Sequence, residues 1–205
     1  MNRPEGTPPA GIPAAISKAD VLALPIRRFQ GEVRLVATPE ELTAALADIR
    51  AERVTGFDTE TRPAFVRGQS YLPALAQVAT ARAVYLFQLR HRELHAPLGE
   101  LLSSPGTIKA GVALADDLQK LRKLFPFEER AVVDLGILGK RRGLKQSGVR
   151  NLAALLLGWR LLKGAQTTNW AARDLSKEQL SYAATDAWIC RELHLRFEAL
   201  GMAGA

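Results

Sequence analysis

Apolar and polar residues alternate through GEVRLVAT, Gly31 to Thr38, which is the period-two pattern of a half-buried strand. Pro39, Glu40 and Glu41 then open a different period, carried by Leu42, Ala45, Leu46 and Ile49, which predicts a helix. RVTGFDTE (Arg53 to Glu60) reads as the next strand. ALAQVAT (Ala74 to Thr80) and RAVYLFQL (Arg82 to Leu89) read as a hairpin with a short turn at Thr80 and Ala81. LHAPLGELLSS predicts a helix, TIKAGVA (Thr107 to Ala113) a buried strand, and LADDLQKLRKLF a helix with Leu118, Leu121, Leu124 and Phe125 on one side. AVVDLGIL, VRNLAALLLG and the long segment from Ser176 complete an α/β pattern without internal repeats.

Residues 1 to 24 break this regularity. They hold four of the chain's eleven prolines and show no period, so an extended or mobile arm is expected there, with one domain over residues 25 to 205. The last helix has a readable start. Ser176 and Gln179 have capping-box spacing, and Leu175 and Leu180 stand where a hydrophobic staple closes the entry. That phase puts Tyr182 and Asp186 one turn apart, about 6 Å along the axis, on the face continued by Ile189 and Leu193.

In GFDTETRP, strand alternation sends Asp58 and Glu60 to one face, with Cα atoms roughly 6.7 Å apart. Two carboxylates near 4 Å repel by about 4 kcal/mol at an effective dielectric of 20. Something positive must compensate: Arg62 in a structural salt bridge, or a bound cation. The composition favours an anionic partner, since 28 Lys and Arg against 21 Asp and Glu give +7 and the pI is near 9.9. The single cysteine, Cys190, excludes an internal disulfide. No apolar run approaches the roughly 20 residues of a membrane span, and the Pro-rich start does not read as a secretory signal. A cytoplasmic location with no membrane partner is expected.

FDTE ending a strand, GVALADDLQKL joining a strand to a helix and SYAATDA on a capped C-terminal helix together resemble the three motifs of the DEDDy 3′-5′ exonucleases. That group contains RNase D, the proofreading domain of DNA polymerase I and the exonuclease domain of the Werner syndrome helicase. The resemblance is closest to the Werner type, through KAGVALADDLQKL and NWAARDLSKEQLSYAATDAW, and runs from about Phe29 to Phe197. It implies a ribonuclease H-like α/β fold with a mixed central β-sheet flanked by helices. Asp58, Glu60, Asp117 and Asp186 would be ligands of two divalent metal ions, Mg²⁺ or Mn²⁺, with Tyr182 beside the attacking water. Asp116 is then the solvated or capping neighbour of Asp117. The implied activity is release of nucleoside 5′-monophosphates from the 3′ ends of DNA or RNA. DNA is favoured; the alternatives are an RNA-trimming enzyme of the same chemistry and a binding module without turnover.

Other features fill in the substrate side. GKRRGLKQSGVR carries Lys140, Arg141, Arg142, Lys145 and Arg150 without an acid, a candidate track for a phosphate backbone. Lys163, in a segment similar to the family's lysine position, and Phe65, in the loop after the first motif, are further candidate nucleic-acid contacts; Phe65 or Tyr71 would either meet a terminal base or anchor the core. Trp170 reads as packing. His91 and His95 lack the H-E-x-x-H order of a zinc helix. Neither Gly-rich phosphate motif is present, so no nucleotide-driven motor is expected. The sequence carries no sign of an oligomeric state.

Overall fold

The computed structural model describes residues 6–66 and 68–203. Six strands, β1 (Glu32–Val36), β2 (Val54–Glu60), β3 (Leu75–Ala79), β4 (Ala83–Gln88), β5 (Ile108–Gly111) and β6 (Val132–Asp134), form one sheet in the order β1-β4-β3-β2-β5-β6. β3 pairs antiparallel with both β2 and β4, and every other pairing is parallel. The sheet is therefore mixed, with β3 running against the other five strands. β3 and β4 join through Thr80, whose hydroxyl accepts from the Arg82 and Ala83 amides, at the turn that the pattern indicated.

Helices α2 (Pro39–Ala51), α3 (His95–Ser103) and α4 (Leu114–Leu121) cover one face. Ile49, Leu98, Leu101, Leu118 and Leu121 pack there on Phe57, Val78, Tyr85 and Phe87. Thr38 and Glu41 form a capping box at the start of α2. α4 ends earlier than its apolar spacing suggested: the Arg122 and Phe125 amides bond back to Leu118 and Leu121, and the turn delivers Phe125 into the core.

The other face carries α5 (Leu135–Arg141), α6 (Val149–Leu157) and α7 (Lys177–Ala199). α7 crosses the sheet in two layers. Ala183, Ala184 and Ala187 sit on Leu75, Ala79, Val84 and Leu86, while Ile189, Leu193 and Phe197 meet Leu152 and Leu156 of α6. Covered on both faces, β2 reads as a near-continuous buried run rather than a clean alternation. Among the described residues no helix is long and apolar enough to cross a membrane.

The expectation for residues 1 to 24 needs revision over the described part, residues 6 to 24; residues 1 to 5 lie outside it. The segment is not a loose arm. The Gly6 amide donates to Arg141 O, Ala14 O accepts from the Lys145 amide, and Gln146 bonds both the amide and the carbonyl of Ile16. Ile12 and Ile16 pack against the α6–α7 core. Beyond them lies a short helix, α1 (Lys18–Ala23), capped by Ser17 and burying nothing. Two isoleucines in a proline-rich stretch are too sparse to announce a period, so only the tertiary groove makes the attachment visible.

Candidate active site

The closeness of α7 to β2 builds the site, and Gly56 allows it. A Cβ at Gly56 would lie 1.8 Å from the Ala187 carbonyl oxygen, so no other residue lets the helix lie so near the strand. Two residues on, the same face of β2 presents Asp58 and then the buried Glu60. α7 answers with Tyr182 and Asp186, one turn apart, from a helix whose first turn is fixed by the Ser176–Gln179 capping box. Leu175 and Leu180 both pack on the same core cluster.

The fourth carboxylate arrives on α4. Ala113 adopts φ 60° and ψ 38°, the left-handed region, to turn the chain sharply from β5 into the helix. Asp134 fixes that turn: one carboxylate oxygen accepts from the Leu114 amide, and the other accepts from Gly136 and Ile137 at the start of α5. Asp116 then faces solvent and pairs with Lys120 at 2.7 Å, whereas Asp117 lines the cleft.

Asp58, Glu60, Asp117, Tyr182 and Asp186 thus border one cleft of about 260 Å³, together with Thr59, Arg150 and Gln166. Asp58, Glu60 and Asp186 each bring a carboxylate oxygen within 4.8 Å of the others; Asp117 stands outside that triple. Among the described residues Asp58 has no ion pair. Arg62 instead lies over the Tyr71 ring, 3.8 Å from its centroid, which removes the structural salt bridge as the source of compensation.

Burial and crowding raise the pKa of each of these acids. Burial raises Asp58 well above the usual carboxylate range, and the Asp186 and Asp117 charges add to it. Glu60 is pushed up to about 10 by burial and then by Asp58. Burial lifts Asp186 to about 6, while the hydrogen bond from Tyr182 and then the Arg150 charge pull it back, and Asp117 is raised by its own burial. The Tyr182 phenol goes up through burial and the neighbouring Asp186 carboxylate. An all-oxygen set of mutually repelling carboxylates suits a hard divalent cation such as Mg²⁺ or Mn²⁺.

The remaining sequence candidates spread out. Arg150 is in the cleft. Lys163 borders a second pocket of about 170 Å³ that shares Tyr182 and Asp186 with the first and adds Arg27 and Arg28. Lys140, Arg141 and Lys145 are exposed on and after α5. Arg142 is half-buried and donates from Nε to Met202 O, so it belongs to the C-terminal packing. Phe65 is 84% exposed in the loop after β2. Trp170 is buried, its ring centroid 6.1 Å from that of Tyr182. His95 bonds Leu89 O, and His91 faces Glu93. The sequence reading missed Arg27, Arg28, Asp134 and Gln166. Of these only Asp134 left a signal, an aspartate closing an apolar strand just before a helix.

Residues 33–200 match the family model described as 3′-5′ exonuclease. A ribonuclease D of Gluconacetobacter diazotrophicus is 34% identical over 78% of the chain and 41% of its own length. The human exonuclease mut-7 homolog is 32% identical over 83% of the chain and 23% of its own length. The chain therefore spans less than half of these relatives. Among solved structures, the Nibbler EXO domain of Aedes aegypti superposes with a TM-score of 0.75 at 26% identity, over 85% of this chain and 92% of that one. Escherichia coli RNase D gives 0.66 at 26% identity, over 83% and 46%. The α/β architecture, the acidic cleft and a match over most of the chain agree: the protein belongs to the 3′-5′ exonuclease family, in its ribonuclease H-like, DEDDy branch.

Proposed function

We propose that this chain hydrolyses nucleic-acid strands one nucleotide at a time from the 3′ end, releasing nucleoside 5′-monophosphates with the help of two divalent cations. The observation that carries this reading is the convergence of Asp58, Glu60, Asp117, Asp186 and Tyr182 on one cleft from three separate elements. When bound, Mg²⁺ or Mn²⁺ supplies Lewis-acid charge compensation at the phosphate and makes water a better nucleophile near neutral pH.

The chain's own groups do the rest. Asp58, Glu60 and Asp186 hold the cations, with Asp117 completing the set from α4. Glu60 and Asp58 give up the protons they keep in the bare site, so cation affinity rises with pH. Tyr182 keeps its phenolic proton and orients the attacking water in line with the scissile bond. Arg150 offsets the charge of the phosphate entering the cleft. The Trp170 ring backs that of Tyr182 and limits its freedom.

RNA is the substrate we favour over DNA. Support comes from the relatives, among them ribonuclease D at 34% identity and the E. coli RNase D described as an exoribonuclease involved in structured RNA processing. The test uses matched 5′-labelled RNA and DNA strands with Mg²⁺, Mn²⁺ or EDTA. A ladder of shortening labelled RNA that EDTA abolishes is the expected result. Faster shortening of DNA reverses the substrate choice, immediate release of the labelled 5′ nucleotide overturns the polarity, and binding without turnover leaves a nucleic-acid-binding module.

A further inference from the structure

Gln77 is a buried amide left without a partner. It occupies the centre of β3 at 0% exposure, and among the described residues neither Nε2 nor Oε1 has a hydrogen-bond partner. A buried polar group left unpaired destabilises the fold, and an apolar side chain of similar volume would avoid that cost. A glutamine here needs a reason.

Its register supplies one. In the β2–β3 ladder Gln77 is directly opposite Asp58. Residues so paired share a face and place their Cβ atoms about 4.5–5.5 Å apart. The neighbours on that face agree: Gly56 lies against the Ala187 backbone, and Leu75 and Ala79 pack under Ala183, Ala184 and Ala187. Gln77 thus stands in the layer that holds the Asp58 carboxylate, beneath a stretch of α7 with small side chains. A neutral amide has a property that Arg or Lys lacks at this position: it donates an N–H to a carboxylate without competing with a cation for its charge.

We infer that Gln77 is a positioning residue for Asp58, its Nε2–H donating to that carboxylate, directly or through one buried water, when a divalent cation is in place. An ionised carboxylate only accepts, so the bond would tie down one Asp58 oxygen and leave the other for the cation. The inference rests on the proposed cation site. Groups that orient metal ligands in this way typically change metal affinity 10- to 100-fold when removed.

Gln77→Met, an unbranched side chain of similar volume, and Gln77→Leu test it. Parent and variants are melted in EDTA and across a Mn²⁺ titration, and kcat and KM for labelled RNA are measured at several Mn²⁺ concentrations. In EDTA the variants should melt at or above the parent. The Mn²⁺ concentration giving half-maximal stabilisation should rise about 10- to 100-fold. kcat should fall at low Mn²⁺ and recover at high Mn²⁺, with KM for RNA unchanged. Variants that melt cooperatively with the parent's Mn²⁺ midpoint overturn the inference, as does a loss of stability alone, which marks a structural buried water. A parent that Mn²⁺ does not stabilise refutes the cation site itself, a result distinguishable from failure at Gln77.

Discussion

Asp58→Asn separates the electrostatics of the cleft from its packing. The three carboxylate oxygens lie within 4.8 Å of one another, so each fully ionised pair repels by at least about 3.5 kcal/mol at an effective dielectric of 20. Protons relieve part of this. Glu60 is held protonated up to about 10, and burial with the Asp186 and Asp117 charges raises Asp58 well above the usual carboxylate range, so at pH 8 the parent bears the cost either of an ionised Asp58 beside Asp186 or of the proton uptake that keeps Asp58 neutral. Removing the Asp58 charge recovers at most that one pair, less what proton uptake by Asp58 already relieves, leaving about 1–3 kcal/mol. In a chain of this size each kcal/mol moves Tm by about 2–4 °C, so in EDTA the variant should melt roughly 2–12 °C above the parent.

Mn²⁺ should favour the parent. A cation at a hundred times its Kd adds about 2.7 kcal/mol to the state that binds it, and the variant, short of one charged ligand, should gain less. The pH dependence has a definite sign. Acids with raised folded-state pKa values bind protons more tightly in the fold than in the unfolded chain. Their contribution is complete below about pH 4 and is lost as pH rises, through about 6 for Asp186 and towards about 10 for Glu60. The EDTA gap between variant and parent should therefore widen from pH 5 to pH 8. Differential scanning fluorimetry with and without Mn²⁺ reads all of this. A variant that melts below the parent in EDTA and responds equally to Mn²⁺ would refute the reasoning, because Asp58 would then be a structural partner and not a strained ligand.

Gly56→Ala should cost more than about 4 kcal/mol in a denaturant titration, the range of severe core disruption, since the new Cβ would meet the Ala187 carbonyl oxygen at 1.8 Å and backbone cannot yield as a side chain does; a loss below about 1 kcal/mol would mean that α7 is not seated on β2 as described. Replacing Lys140, Arg141 and Lys145 with Gln should flatten the log-log salt dependence of RNA binding by about 0.7 for each phosphate no longer engaged, and Arg27→Gln with Arg28→Gln should do the same through the second pocket. An unchanged slope in either set returns those residues to ordinary solvated surface.

The legible parts of the molecule were those that local physics writes into a few adjacent residues. The Ser176–Gln179 box sets the phase of α7 within one turn, and alternation in FDTE puts Asp58 and Glu60 on one face whatever else the chain does. Together they orient four functional side chains before any packing is known. Distance defeats the same logic. Gln77 looks like one polar residue in a buried strand until the β2–β3 register sets it opposite Asp58. Arg27 and Arg28 sit outside any period, and the bridge between Ile26 and Arg160, with the Phe29 amide on the Thr185 hydroxyl, brings them beside Lys163. The basic run was visible as charge, but its backbone bonds to Gly6 and Ala14 depend on a segment more than 120 residues away.

The distribution of the carboxylates over β2, α4 and α7 has an energetic consequence. β2 carries two of the acids, Asp58 and Glu60, and α4 and α7 each bring one more, Asp117 and Asp186, so much of the repulsion lies between elements rather than within one. The cost grows where α7 lies over Gly56 and brings Asp186 towards Asp58 and Glu60. The alanine face at 183, 184 and 187 makes that docking close, and the acids oppose it at one end. A divalent cation held by these acids would offset the repulsion at that end of the interface and would favour the docked position of α7. Cation binding and the seating of α7 on β2 are then linked equilibria, and any substitution that loosens the helix on the strand should weaken the cation even without touching a carboxylate.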